Sequence, residues 1–327
     1  MPRRDRRRLL LGGLAAALAR PGAAAPRANA RIGYLERVKE SDGELLYRDF
    51  VEAMQGKGYA AGRNLRILRR SANAQPQRLK TLAAELANEK VDLIVATTTE
   101  AATATKFGAP RTPMVFVISG DPVLEGLVAS IARPAGNATG LVTRSEDLTG
   151  KRLQLLKDAF PRLRTLALVG SNVSMARIDA AAPAARLGLA VEPYPINHPD
   201  EYRDQAAAIL RGASDAVLVV EDADEIVDLA AFSLLMMATR RPVMFTSDVF
   251  VETYRSGAGL MAYGVSLHEQ YRSVAAIVAR VLEGARPADV PVEQPTRYEL
   301  VVNLRAAEQY GIALPREFVQ RADRVIR

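Results

Sequence analysis

Short apolar runs alternate with amphipathic stretches along most of the chain. The runs predict β-strands at 31–35, 65–68, 91–96, 114–118 and 137–142, and the stretches between them predict helices at 45–57, at 75–88 and up to 107. The pattern then restarts, with strands at 165–169, 189–192, 215–220 and 242–245 and helices at 153–160, 175–187, 201–210 and 225–238. Because such alternation is typical of parallel sheets, we predict an α/β fold with two doubly wound parallel-sheet lobes.

The last third of the chain departs from this pattern. A strand at 259–263, a helix at 267–283, a proline-rich stretch at 287–295 and a strand at 298–303 indicate a chain that crosses back between the lobes. We therefore assign 31–143 and about 263–291 to an N-terminal lobe. The C-terminal lobe is expected to contain 144–262 and about 297–327.

The first 30 residues have the features of an export signal. An arginine-rich start is followed by an apolar stretch at 9–19, which is shorter than the roughly 20 residues needed to span a bilayer. Small residues then offer cleavage after Ala25 or Ala30. Sec and twin-arginine export both fit, and Gly12-Gly13 slightly favours the latter. We predict a periplasmic protein from which this segment is removed.

The export signal also explains the basic charge. The 327 residues carry a net charge of +7, which suggests nucleic acid or an anionic membrane as a partner. Without residues 1–30, which hold seven Arg and one Asp, 37 basic and 36 acidic residues remain, a net charge of +1. We therefore expect no nucleic-acid partner. No other apolar run reaches 18 residues, so we expect no membrane insertion after processing. The chain is also expected to be a monomer.

Candidate catalytic and metal-binding chemistry is sparse. The chain has no cysteine, which excludes disulfides and thiolate ligands, and it lacks HExxH, G-x-S-x-G, Walker A and post-strand G-x-G-x-x-G motifs. We expect no cofactor, no metal and no catalysis. His198 and His268 are interpreted as solvated or capping residues. Glu221 and Asp222 are interpreted as helix caps. The alternative is an exported α/β enzyme that uses Glu221, Asp222 or Asp248 as acid–base groups.

Small polar residues follow most of the predicted strands. Ligands of open α/β sheets bind outside the carboxyl ends of the strands, so two such lobes would form a polar cleft. Thr98 and Thr99, at a helix start, are expected to seat a carboxylate, and Asp121 or Asp248 is expected to pair with an ammonium group. The strand ends give these candidate contacts: Glu36, Thr97, Thr98, Thr99, Gly120, Asp121, Ser171, Asn172, Glu221, Asp222, Ser247 and Asp248.

Several segments carry a resemblance to a known family. They are GDPV at 120–123, GLVAS at 126–130, ARPAGNATG at 132–140, GKRLQLLK at 150–157, GLMAYG at 259–264 and PVEQPTRYELVVNL at 291–304. Over nearly all of 31–327 the chain resembles the ABC-transporter substrate-binding proteins related to the tryptophan/tyrosine-binding group.

The resemblance implies a type I periplasmic-binding fold, with two lobes joined by three crossover segments. It implies a hinge that closes on an amino acid or similar small molecule, which is then delivered to an ABC permease in the inner membrane. It also adds Thr143 and Tyr263 to the expected ligand contacts.

Departures from the family pattern leave the ligand open. Many members carry Trp-Asn-Pro where this chain has Gly170-Ser171-Asn172, and this chain has no tryptophan, so an aromatic amino acid is not assumed. Glu221 and Asp222 favour a cationic or hydroxylated ligand. A further alternative is a ligand-sensing module for a membrane receptor.

Overall fold

The first sheet contains five parallel strands in the order β2-β1-β3-β4-β5. They are β1 (Ala30–Glu36), β2 (Leu65–Ser71), β3 (Leu93–Ala96), β4 (Met114–Ile118) and β5 (Ala138–Val142). The computed structural model describes residues 28–143, 148–220, 229–252 and 259–327. Residues 1–27 of the predicted export signal and the candidate contacts Glu221 and Asp222 therefore lie outside the described residues.

Helices cover both faces of this sheet. They are α1 (Glu40–Gly56), α2 (Leu79–Asn88), α3 (Thr99–Gly108) and, from late in the chain, α10 (Leu267–Leu282). Tyr34 of β1 packs in one core with Phe50 of α1 and Val274 of α10. Its neighbour Leu35 packs in a second core with residues of α2 and α3. Successive side chains of β1 thus point to opposite faces, as the two-residue repeat of a strand requires.

The second sheet contains seven strands in the order β12-β11-β10-β9-β8-β6-β7. The strands are β6 (Thr165–Gly170), β7 (Ala190–Pro195), β8 (Ala216–Val219), β9 (Val243–Phe245), β10 (Met261–Gly264), β11 (Glu299–Asn303) and β12 (Arg324–Ile326). Neighbouring strands are parallel except β10 and β11, which are antiparallel. The helices of this lobe are α4 (Thr149–Ala159), α5 (Asn172–Arg177), α6 (Ala181–Arg186), α7 (Tyr202–Arg211), α8 (Leu229–Ala238), α9 (Val249–Glu252), α11 (Leu304–Tyr310) and α12 (Arg316–Gln320).

The chain passes between the sheets three times. It leaves the first sheet between β5 and α4, returns between β10 and α10, and leaves again between the short 3-10 turn Pro287–Asp289 and β11. The prediction of two α/β lobes is confirmed. Within the described ranges, no helix combines the length and apolar character needed to cross a membrane.

Two predicted helices differ from those observed. The helix predicted at 175–187 is divided into α5 and α6, because Ile178 is extended (φ −106°, ψ 144°) and Asp179 Oδ1 accepts a hydrogen bond from Ala182 N at the start of α6. The loop predicted before residue 45 is already helical from Glu40. The polar stretch up to Gly43 predicts a loop, but Gly43 lies within α1, where a Cβ would overlap the Glu36 carboxylate.

Candidate functional site

A cavity of about 1150 Å³ lies between the two lobes. The N-terminal lobe lines it with Arg37, the 74–77 loop, the first turns of α3 and Glu125. The C-terminal lobe lines it with the end of β6, the start of α5, the 196–199 turn, Tyr202 and Phe232. The cavity is therefore built largely from the carboxyl ends of strands, where ligands of parallel sheets bind.

The start of α3 forms the polar part of the N-terminal wall. Thr98 is the N-cap residue, and its Oγ1 accepts a hydrogen bond from Ala101 N at 3.0 Å. Thr99 Oγ1 accepts a hydrogen bond from Gly120 N at 3.3 Å. Both residues line the cavity, where the positive end of the α3 dipole favours an anion. The carboxylate seat expected at Thr98 and Thr99 thus faces the cavity, and its contact with a ligand stays a prediction.

Arg37 places a positive charge in the same wall, although only its neighbour Glu36 had been a candidate contact. The Arg37 side chain is 10% exposed, and its Nε lies 3.1 Å from Glu100 Oε2, also at the cavity. Leu35 packs on the α2–α3 side, and Arg37, two residues later and just after β1, points to the same side and pairs with Glu100 of α3. The two-residue alternation of β1, extended by one residue, predicts that Arg37 rather than Glu36 points toward this wall.

Glu36 points the other way and does not line the cavity. It is 2% exposed, and Arg69 donates to it through Nε at 2.6 Å and through Nη2 at 3.2 Å. Burial raises the pKa of Glu36 to about 7, although Arg69 opposes this rise. Arg69 also contacts Glu44 and lies over the Tyr47 ring at 4.2 Å. The arrangement gives Glu36 a structural role between β1 and α1.

The buried Glu36 predicts a pH-dependent stability. Because its folded pKa lies above the ordinary 4.5, its carboxylate makes the unfolding free energy fall as pH rises from about 4.5 to about 7. Glu36→Gln should remove up to about 3 kcal/mol of this fall, and urea denaturation at both pH values measures it. Glu44→Gln, at a more exposed carboxylate on the same arginine, is the control. The prediction would be contradicted if the unfolding free energy of Glu36→Gln fell with pH as much as that of the unchanged chain.

The C-terminal wall has a polar rim and an aromatic base. Ser171 is the N-cap residue of α5 and accepts from Ser174 N at 3.0 Å, while Asn197 Oδ1 accepts from Asn172 N at 3.0 Å. Tyr202 and Phe232 meet edge to face, with ring centroids 5.1 Å apart. This wall can therefore hold an apolar or planar group against rings and a polar group at the rim.

The two histidines differ from each other. His198 lines the cavity and caps the turn Pro199–Glu201 in a reciprocal arrangement with Glu201, so the prediction of a capping histidine is confirmed for it. For His268 that prediction is wrong, because this residue is only 9% exposed and contacts Asp49 and Glu252. In the part of the chain described, no group of three or more His, Asp or Glu residues could hold a metal ion.

Several other candidate contacts lie beside the cavity rather than in its walls. Thr97 Oγ1 donates to Leu35 O at 3.4 Å. Asp121, next to Gly120, accepts at Oδ1 from Val123 N at 2.8 Å and from Leu124 N at 3.2 Å. The carboxylate expected to meet an ammonium group thus stabilises a turn, and Glu125 lines the cavity instead.

The remaining candidates lie near the passages of the chain between the lobes. Thr143 and Ser247 are each 4% exposed, and neither hydroxyl has a hydrogen-bond partner among the described residues. The Asp248 carboxylate accepts hydrogen bonds from Ser266, Leu267 and Arg324. Tyr263 accepts a hydrogen bond at its carbonyl oxygen from Arg152 Nε at 2.7 Å. None of these four residues lines the cavity, and their contact with a ligand stays a prediction.

Comparisons with known proteins agree with a fold of two α/β lobes. A tyrosine-binding protein of Clostridioides difficile is 24% identical over 276 residues, which are 83% of this chain and 78% of that protein. An ABC domain of Streptococcus pneumoniae solved in complex with L-Trp matches with a TM-score of 0.78 at 23% identity, over 91% of this chain and 100% of that one. A ligand-free, open substrate-binding protein of Clostridium difficile with adhesive properties matches with a TM-score of 0.64 at 22% identity, over 91% of this chain and 99% of that one.

These structures share the type I periplasmic-binding architecture of two α/β lobes. The sequence profile of the family described as ABC transporter substrate binding protein matches residues 37–326, which cover the second sheet, the first sheet except β1, and the residues that line the cavity. The chain therefore belongs to the ABC transporter substrate-binding protein family.

Proposed function

We propose that this protein is the periplasmic solute-binding component of an ABC importer and acts without catalysis. It captures an amino acid, or a molecule of similar size and charge, between its lobes and delivers it to a permease in the inner membrane. The observation that carries the proposal is the cavity, because both lobes contribute strand ends and helix starts to its walls.

Capture requires the lobes to approach each other. The cavity of about 1150 Å³ is larger than the roughly 300–1000 Å³ of most small-molecule sites. An amino acid therefore contacts both walls fully only after the lobes rotate together. Such a ligand shifts the equilibrium toward the closed form because it gains contacts there that the open form lacks.

The walls suit a zwitterion with an apolar side chain. Arg37 and the start of α3 offer positive charge and hydroxyl groups to a carboxylate, while Glu100 and Glu125 offer negative charge to an ammonium group. Tyr202 and Phe232 offer aromatic surface to the side chain. The related tyrosine-binding protein and the L-Trp complex are consistent with a ligand of this kind.

A thermal-shift panel tests the proposal. The purified protein is heated with L-tyrosine, L-tryptophan, other amino acids, polyamines, nucleobases and small carboxylates. A ligand at 100 times its Kd adds about 2.7 kcal/mol to the unfolding free energy and raises Tm by several degrees. We expect at least one amino acid to do so. No shift with any amino acid would contradict the ligand class.

Delivery to a permease needs a separate test. Cells that lack this protein should lose high-affinity uptake of the compound found in the panel, and osmotic-shock fractions should contain the protein. Normal uptake together with a lost transcriptional response to the compound would instead support a ligand-sensing module.

A further inference from the structure

Six charged side chains meet where the two lobes join, and we call them the hinge network. They are Asp49, Asp248, Glu252, His268, Arg272 and Arg324. With His268 protonated, three carboxylates face three cations. Asp49, Asp248 and His268 are each less than a tenth exposed, so their charges are poorly screened by water.

His268 lies at the centre of the hinge network. Its Nδ1 contacts Asp49 Oδ2 on α1, and Asp49 Oδ1 also accepts from Arg272 Nη2 at 2.8 Å. Its Nε2 lies 3.2 Å from Glu252 Oε2 on α9, as an ion pair rather than an aligned hydrogen bond. One imidazole ring therefore joins a helix of the N-terminal lobe to a helix of the C-terminal lobe.

The hinge network ends on a passage of the chain between the lobes. Arg324 of β12 pairs with Glu252, and its Nη2 lies 3.3 Å from Asp248 Oδ2. Asp248 accepts from Ser266 Oγ at 2.5 Å and from Leu267 N at 3.0 Å, where the chain passes from β10 to α10. The hinge network thus reaches the point where the chain enters α10.

The hinge network and the cavity lie on different sides of the N-terminal lobe. Asp49 and His268 belong to α1 and α10, which cover one face of the first sheet. The cavity is lined by α3 and the 74–77 loop, on the α2–α3 side. No member of the hinge network is a cavity-lining residue. A rotation of the lobes about an axis between these two sides would narrow the cavity and widen the gap where α1 and α10 meet α9.

We propose that His268 is a positioning residue for hinge closure: its ion pair with Glu252 holds the lobes apart, and closure separates the two groups. Neutralising His268 should then favour the closed arrangement without changing any cavity-lining residue. The inference rests on the hinge closure of the proposed function. It is tested without ligand, so a failed ligand panel and a failed hinge test remain distinguishable.

The charge of His268 makes the proposed control of hinge closure sensitive to pH. Glu252 most strongly, with Asp49 and Asp248, raises the pKa of His268 to about 9 even though burial lowers it. The groups facing the ring are Asp49 from α1, Glu252 from α9 and Asp248 after β9, with Arg324 of β12 and Arg272 of α10 behind them. Because this pKa lies at about 9, the ring is almost fully charged and the ion pair is present at pH 7.5, and the pair is lost as pH rises through about 9.

Distance measurements on spin-labelled protein test the proposal. The chain has no cysteine, so Phe107→Cys on α3 and Leu210→Cys on α7 give two unique labelling sites, at positions 62% and 52% exposed. The starts of these helices line opposite walls of the cavity. In ligand-free protein at pH 7.5, His268→Gln should shift the main label-to-label distance to shorter values, and Glu252→Gln should shift it in the same direction.

The pH response separates a charge effect from a general structural one. In the labelled protein without a hinge substitution, the main label-to-label distance should become shorter between pH 7.5 and pH 10. In the His268→Gln variant the distance should be the same at both pH values. Arg286→Gln, which removes an exposed ion pair with Asp289, is the matched control and should leave all distances unchanged. If the labelled protein with His268 unchanged shows the same distance at both pH values, the proposal is overturned, even if the variants fail to fold.

Discussion

Arg152→Met should destabilise the C-terminal lobe by about 2–4 kcal/mol, because two strand-end carbonyl groups lose a buried donor. Arg152 is 1% exposed, and it donates through Nε to Tyr263 O at 2.7 Å and through Nη2 to Thr246 O at 3.3 Å. Methionine has a similar length but no donor. Gly264 leaves room for the guanidinium group. A Cβ at this position would lie 3.3 Å from Arg152 Nη2 and would overlap Thr246 O.

Denaturant unfolding followed by circular dichroism measures this effect. Arg186→Met is the matched control, since Arg186 is exposed on α6 of the same lobe. A midpoint for Arg152→Met equal to that of the control would show that the buried hydrogen bonds add nothing to stability. Arg152 belongs to the GKRLQLLK segment at 150–157, so its burial gives a structural reason for one part of the family resemblance.

Arg37→Met should weaken binding of the compound found in the thermal-shift panel by about ten- to a hundredfold. A hydrogen bond to a charged group contributes about 1.5–3 kcal/mol, and each 1.4 kcal/mol is tenfold in Kd. Arg37 is the cation that the N-terminal wall offers beside Thr98 and Thr99. Its partner Glu100 is half-exposed and can be solvated after the change, so the fold should persist.

Calorimetry on three proteins checks the Arg37 prediction. Arg66→Met, at an exposed arginine of β2 in the same lobe, should bind as the unchanged chain does. Equal Kd values for Arg37→Met and Arg66→Met would remove Arg37 from the ligand site.

Local patterns predicted the architecture and part of the cavity. The alternation of strands and helices indicated two lobes, and Thr98, Thr99 and Ser171 meet at one cavity because strand ends gather at one edge of each sheet. The same rule also selected Asp121 and Asp248, whose carboxylates instead stabilise a turn and a chain passage. Chain position alone cannot separate a capping carboxylate from one that faces a ligand.

Other features depend on contacts that are distant in the sequence. His268 and Asp49 are separated by 219 positions, so no local pattern around His268 indicates its burial. The antiparallel pairing of β11 with β10 likewise depends on a late return of the chain to the second sheet. Arg37 is different, because the two-residue repeat of β1 predicts its direction once Tyr34 and Leu35 are assigned to faces.

A calorimetric titration tests most directly whether a small molecule is held between the two lobes. The unchanged chain and a variant with Thr103→Trp and Val173→Trp, which fill the cavity from opposite walls, are titrated with the compound that raises Tm most. We predict one molecule bound per chain and no measurable binding to a folded double variant. Equal binding to both proteins would place the ligand elsewhere and contradict capture in the cavity.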